Sequence, residues 1–230
     1  MSNLVRYARI PVKMKREFLL LQGTGCRWKR CTFCDYWKDV SDTPFEVNRP
    51  VLEQVTGEFG VLDIINSGSC PELDQKTVQK IRQVAETKGI HTLWFEAHYS
   101  YRDQLEDFAK QFPQQSVFFR CGIESFDPSL RRAWNKGVPD SVTARKLAKH
   151  FRGACLLVGC QGQTPYGIRE DLTLAQAWFD YYSVNLFCPN STHIHRDEAL
   201  ADWFCREMAP VLEADPKAEV LHNNTDLGVG

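Results

Sequence analysis

The chain has no apolar run approaching the length of a membrane span, and its first nine residues, Met1-Ser2-Asn3-Leu4-Val5-Arg6-Tyr7-Ala8-Arg9, lack the apolar centre of a signal peptide. A cytoplasmic protein is therefore expected. Neither sign of charge is in excess: 28 Lys and Arg against 29 Asp and Glu leave a formal net charge of −1, and the basic residues are scattered. Without a basic stripe to neutralise a phosphate backbone, intact nucleic acid is a poor partner and a small molecule a better one. No internal repeat, low-complexity tract or Pro/Gly-rich linker interrupts the sequence, so residues 1–230 are expected to form a single domain. A composition of 43% hydrophobic and 25% charged residues speaks against disordered and fibrous classes.

Cysteine is plentiful by contrast. Nine cysteines, an odd number in a chain with no export signal, point to thiols kept reduced for ligation or catalysis and not to a disulfide framework.

Short apolar, β-branched or aromatic runs predict strands at 18–22, 61–66, 92–96, 117–121, 154–159 and 183–188. Helical patterns lie between them. Pro71 opens a segment in which Val78, Ile81 and Ala85 share a face and Gly89 marks the end. Ser100 with Asp103 predicts a capping-box start for the face formed by Leu105, Phe108, Ala109 and Phe112. Asp127-Pro128 and Pro139-Asp140 read as two more helix starts and residues 169–182 as a further helix; the tail from Ala214 to Gly230 is less patterned, with a polar loop at Asn223-Asn224-Thr225-Asp226. Six strand-then-helix units imply an α/β fold with a parallel sheet, either doubly wound or a partial or full barrel. Ligands of such sheets collect at the carboxyl ends of the strands, which directs attention to the loops there.

The loop after the first strand reads Gly23-Thr24-Gly25-Cys26-Arg27-Trp28-Lys29-Arg30-Cys31-Thr32-Phe33-Cys34-Asp35-Tyr36. Three thiolates within nine residues can wrap one metal centre, and a four-iron cubane so held keeps one iron without a protein ligand. A zinc site completed by one of the six histidines is the competing reading, although no histidine sits at finger-like spacing. Cys70, Cys121, Cys155, Cys160, Cys188 and Cys205 lie singly and form no second cluster in the sequence.

This spacing resembles the signature of the radical S-adenosylmethionine (SAM) superfamily, with four residues in the first gap where three are usual. The resemblance implies that Cys26, Cys31 and Cys34 hold a [4Fe-4S] cluster whose open iron binds SAM, generating a 5′-deoxyadenosyl radical on a partial (β/α)6 barrel with a short C-terminal extension. Phe33 matches the aromatic that lies near the adenine. Asn66-Ser67-Gly68-Ser69 falls where relatives bind the methionyl amino group, although the usual Gly-Gly-Glu is absent. Gly122-Ile123-Glu124-Ser125 resembles the turn whose polar residue, here Glu124, faces SAM, and Val158-Gly159-Cys160-Gln161-Gly162-Gln163-Thr164 resembles the turn beside the adenosine.

Within the superfamily, Gly25-Cys26-Arg27-Trp28, Cys31-Thr32-Phe33-Cys34-Asp35-Tyr36 and the terminal Asn224-Thr225-Asp226-Leu227-Gly228-Val229-Gly230 resemble the compact lyases of queuosine salvage, which release the base queuine from a queuosine nucleotide. That resemblance implies a nucleoside or nucleotide substrate and an electron donor such as flavodoxin or ferredoxin. Strand-end residues supply candidates for the substrate: Glu96, His98, Tyr99 and Arg102 after the third strand, Asn190, Ser191 and Thr192 after the sixth, and Asn224, Thr225 and Asp226 in the tail. Glu96, His98 and Asp226 are the expected catalytic groups; Arg102 suits a phosphate and Asp226 the amino-pyrimidinone edge of a deazaguanine. A radical enzyme acting on another nucleoside, tRNA or peptide, and a zinc or iron-sulfur binding module without activity, remain as alternatives.

Overall fold

A computed structural model gives the fold and describes residues 4–230, so the first three residues of the stretch read for a signal lie outside it. Eight strands occur among the described residues: β1 (Tyr7–Ile10), β2 (Arg16–Leu21), β3 (Val61–Asn66), β4 (Thr92–Glu96), β5 (Ser116–Glu124), β6 (Gly153–Val158), β7 (Tyr181–Leu186) and β8 (Ala218–Leu221). Strand order in the sheet follows the chain, without the reversal that defines a doubly wound sheet. β1 is antiparallel to β2, while the β2–β3, β3–β4, β5–β6, β6–β7 and β7–β8 pairs are parallel. The six expected strands are β2 to β7; β1 and β8 add to them. Both extra strands are only four residues long, too short for alternation to register in the sequence.

The helices are α1 (Pro44–Leu52), α2 (Gln75–Thr87), α3 (Leu105–Ala109), α4 (Pro128–Ala133), α5 (Ala144–Leu147), α6 (Pro165–Trp178), α7 (Glu198–Glu207) and α8 (Ala209–Ala214). Several starts differ from the sequence expectation. Pro71 sits in a 3-10 turn, and α2 begins after Asp74, whose carboxylate accepts from Thr77 N at 2.9 Å. Residues 99–104 are likewise 3-10, capped by the His98 ring at Ser100 N, and α3 follows only from Leu105. Thr143, not Pro139-Asp140, caps α5. Thr164 caps α6, which ends at Trp178 because Tyr181 and Tyr182 pair into β7.

The chain divides into two compact units, residues 1–29, 36–119 and 225–230 in one and residues 30–35 and 120–224 in the other. In the first unit β2 is buried along nearly its whole length, as a strand covered on both faces must be. Two charged residues within it are satisfied locally. Arg16 Nε donates to Asp63 at 2.8 Å with both side chains fully buried. Glu17 accepts from Tyr7 Oη, Thr56 N and Gly57 N at 2.7, 2.7 and 2.8 Å. Burial and this carboxylate push the Tyr7 phenol up to about 12. The core of this unit includes Phe95, Phe108, Phe112 and Phe119, and Val229 of the tail packs with Ile10 and Phe18. In the second unit β6 is buried throughout, and Phe33, Trp134, Leu157, Cys160 and Phe187 form one apolar cluster with Cys31 and Cys34 against it.

Candidate active site

In the first unit the segment entering the cysteine loop is held from below. Asn48 of α1 takes both polar groups of the Gln22 backbone, accepting from Gln22 N at 2.7 Å and donating to Gln22 O at 2.8 Å. Beyond it Gly23 N donates to Ser67 Oγ at 3.0 Å, fixing the loop to the turn after β3. Cys26 is half-buried, and Lys29 explains how a four-residue gap is accommodated. Its backbone takes a left-handed φ of 46°, and its N–H donates to Cys26 Sγ at 3.4 Å.

Glu72 is the hub of this region, and the sequence reading passed over it. Its carboxylate accepts from Arg27 N and Ser69 N at 2.6 Å and from Tyr101 Oη at 2.8 Å, joining the loops after β2, β3 and β4. The signal for it was the Ser69-x-x-Glu72 capping box, which masks this wider role. Burial, then Glu72, pushes the Tyr101 phenol up to about 12, so it stays a donor. Gly68 is needed where it stands: a Cβ there would collide with the Glu72 carboxylate and lie 3.0 Å from Gly25 O.

Among the expected residues of this unit, Ser67 and Ser69 are buried and Asn66 and Gly68 half-buried in the β3 turn. Asn66 Nδ2 donates to Ser69 O at 3.3 Å, while its Oδ1 is buried with no hydrogen-bond partner among the described residues. His98 N donates to Ser69 Oγ at 3.0 Å, and the imidazole stacks on Trp28. Glu96 and Tyr99 are half-buried; Arg102 lies over the Tyr99 ring at 4.8 Å and pairs with Asp103. Thr225 and Asp226 are exposed in the tail.

The second unit holds Cys31, Phe33 and Cys34. Asn190 Nδ2 donates to Phe33 O at 2.8 Å, Asp35 accepts from Ser191 Oγ at 2.7 Å, and Asn190 Oδ1 accepts from Thr192 Oγ1 at 2.7 Å. The residues expected to meet substrate after β7 thus hold the cysteine segment, a contact 157 positions apart that spacing could not disclose. Asn224 is exposed in the turn after β8. Lys136, also missed, is buried and pairs with Glu124 at 2.8 Å, its Nζ 5.5 Å from the Phe33 ring centre. Burial opposes its charge, but Glu124 and then Cys31 outweigh that, and the ammonium is held well above the ordinary lysine range. Gly159 has φ of 81°, and a Cβ would approach Leu186 to 2.9 Å. Gln163 closes the turn through Val158, Gly159 and Cys160, accepting from Cys160 N and donating to Leu157 O. Burial pushes the Cys160 thiol up, so it stays protonated.

All nine cysteines are outside disulfides. Among the described residues, no three His, Cys, Asp or Glu side chains are gathered tightly enough for a single metal ion. The donor chemistry nonetheless fits an iron-sulfur cluster with SAM on it: three half-buried thiols in one loop, and beside that loop the unpartnered Asn66 Oδ1, an acceptor suited to an amino group. No helix is long and apolar enough to cross a membrane among the described residues.

No family model and no curated protein matches the chain. Among solved structures it is similar to a queuine lyase from Clostridium spiroforme bound to SAM and queuine, with 36% identity, a TM-score of 0.94, and coverage of 99% of this chain and 100% of that one. It is also similar in fold to methylornithine synthase, with 16% identity and a TM-score of 0.53 over 88% of this chain and 63% of that one. The fold is thus the parallel α/β class of the partial (β/α)6 radical SAM barrel, extended at its ends by β1 and β8. At that identity over the full length, the chain belongs to the queuine lyase family of radical SAM enzymes.

Proposed function

We propose that this protein releases queuine from queuosine 5′-monophosphate, or from queuosine, by radical cleavage of the N-glycosidic bond. The observation that carries the reading is the full-length similarity to a queuine lyase bound to SAM and queuine. Cys26, Cys31 and Cys34 are the residues that would hold a [4Fe-4S] cluster; Asn66 Oδ1 would suit the amino group of SAM, and Glu124, Val158, Gly159, Cys160 and Phe33 are the further residues assigned to that cofactor. Cluster and SAM, when bound, would supply a carbon radical able to take a hydrogen atom from the ribose, the activation that the glycosidic cleavage requires.

The protein's own part is placement and exclusion of solvent. Glu72 fixes the loops after β2, β3 and β4 relative to one another, and Asn190 and Asp35 fix the segment carrying Cys31 and Cys34. Arg102 is suited to the 5′-phosphate, Glu96 and His98 to the ribose hydroxyls or the amine, and Asp226, with Asn224 and Thr225 beside it, to the amino-pyrimidinone edge. The reductant is a small low-potential electron carrier such as flavodoxin or ferredoxin, and the cytosol keeps the nine thiols reduced.

The test is to reconstitute the protein without oxygen and incubate it with reductant, SAM and, in turn, queuosine, its 5′-monophosphate and tRNA, with mass detection of queuine and 5′-deoxyadenosine. Queuine from the nucleotide or nucleoside is expected, with about four irons and four sulfides per chain. Deoxyadenosine without queuine from any of the three would remove the substrate assignment.

A further inference from the structure

The end of β5 carries a backbone conformation that its sequence does not favour. Glu124 has φ of 66°, in the left-handed region that residues with a Cβ rarely occupy. Ser125 N donates to Ile123 O at 2.8 Å across it, closing a three-residue turn, and the β5–β6 register slips between Gly122 and Glu124 at the same place. Such a turn persists only where its surroundings determine it. Here two buried side chains do so. Asp171 of α6, 5% exposed, accepts from Ser125 Oγ and Phe126 N, both at 2.7 Å. Arg131 of α4, 1% exposed, donates to Phe126 O at 2.8 Å and Ser125 O at 3.3 Å, and reaches Pro139 O and Val142 O at 3.3 Å. The Glu124 carboxylate, aimed by this turn, is the one that pairs with Lys136.

We infer that Asp171 and Arg131 are positioning residues that clamp the strained Glu124 turn in the form that binds SAM. The inference rests on the reading that Glu124 meets the cofactor. An ordinary core position would not need a charged group, yet both oxygens of Asp171 are used, and by donors of one turn. The charged neighbours of Asp171 are Asp127 and Arg131 on the β5–α4 side and Glu170 on its own helix, which lines the same cleft. Burial is the main influence and Asp127 adds to it; against the hydrogen bonds from Ser125 and Phe126 and the charge of Arg131, they push this carboxyl up to about 6. On protonation it keeps fewer acceptor sites, so one of its two bonds to the turn is weakened.

The same titration separates positioning from stability. Because the folded value lies above the 3.8 of the free group, Asp171's contribution to folding grows as pH falls from about 6 to about 4. Acidification therefore loosens the clamp without loss of stability from this group. A purely structural role would leave cofactor affinity unmoved.

The experiment measures SAM dissociation constants by calorimetry, and the change that SAM makes in the reduced cluster's paramagnetic resonance spectrum, for anaerobically reconstituted wild type, D171N and S125A between pH 5.5 and 7.5. Iron content is the control. Wild-type affinity is expected to fall about fourfold as the pH is lowered from 7.5 to 5.5 if only the ionised form binds. D171N should bind roughly tenfold more weakly at pH 7.5 with a flat pH profile. S125A, which keeps the Phe126 bond, should lose a few-fold and retain the pH slope, and it carries the test if D171N does not fold. Variants with wild-type affinity and slope overturn the inference while leaving the cofactor reading intact. A wild type with full iron that binds no SAM at any pH overturns both.

Discussion

The imidazole of His98 lies flat against the indole of Trp28, ring centres 5.4 Å apart and planes 12° from parallel. Trp28 belongs to the long first gap of the cysteine loop and His98 to the turn after β4, so the stack ties a candidate substrate residue to the segment carrying Cys26. An aromatic contact of this kind adds about 1 kcal/mol beyond area burial. Trp28→Ala should lower the melting temperature by roughly 2–4 °C in a chain of this size. It should also raise KM for the nucleotide while slow uncoupled SAM cleavage continues; Trp28→Phe should restore most of both. An unchanged KM in Trp28→Ala would separate His98 from substrate binding.

Glu72 makes a sharper case, because one carboxylate serves three donors on three loops. Glu72→Gln keeps the shape but removes the charge and one acceptor oxygen, leaving a backbone N–H of Arg27 or Ser69 facing an amide N–H₂. Charge-assisted hydrogen bonds contribute about 1.5–3 kcal/mol each. The expected result is a melting temperature lower by roughly 5–10 °C, faster loss of iron to a chelator, and weaker SAM binding. Glu72→Gln indistinguishable from wild type in chelator-stripping rates would show that the loops are held by other contacts.

How much of this could be read from residues alone follows from the range of the interactions. β3 and β4 are found at their expected bounds because each is a short apolar run of the right length, and the cysteine loop is legible because its three thiols are neighbours in sequence. β1 and β8 were not legible: each needs a partner strand to exist, and neither has an internal pattern. The same limit hid Glu72 and Lys136. Glu72 reads as a capping residue, and Lys136 as one more surface lysine until the fold buries it beside Glu124, twelve positions away. The residues after β7 were read as substrate contacts, and their hydrogen bonds to Phe33 and Asp35 are tertiary, beyond what spacing discloses.

The nine cysteines separate into two sets that metal analysis can distinguish. Replacing Cys26, Cys31 or Cys34 by alanine should abolish turnover and most of the iron, because a three-thiolate site cannot keep a cubane on two. Cys155→Ala should leave both nearly intact, since that residue lies within β6 and contributes volume to the core. One zinc per chain without sulfide in wild type, retained in all three loop variants, would contradict the assignment.

Lys136 and Glu124 give the most demanding prediction, because the pair is buried and its partners are not interchangeable. Lys136→Met leaves the Glu124 carboxylate without its cation in a site 9% exposed. Breaking a buried pair in this way costs about 3–5 kcal/mol, which corresponds to a fall of roughly 10 °C in melting temperature. Melting curves at pH 7.5 read the deficit of Lys136→Met directly. Combining it with Glu124→Gln should recover much of the loss at neutral pH, the coupling expected of residues in direct contact. The double variant should still bind SAM poorly, since the carboxylate aimed by the β5 turn is absent; melting curves and calorimetry on the same preparations read the two effects separately.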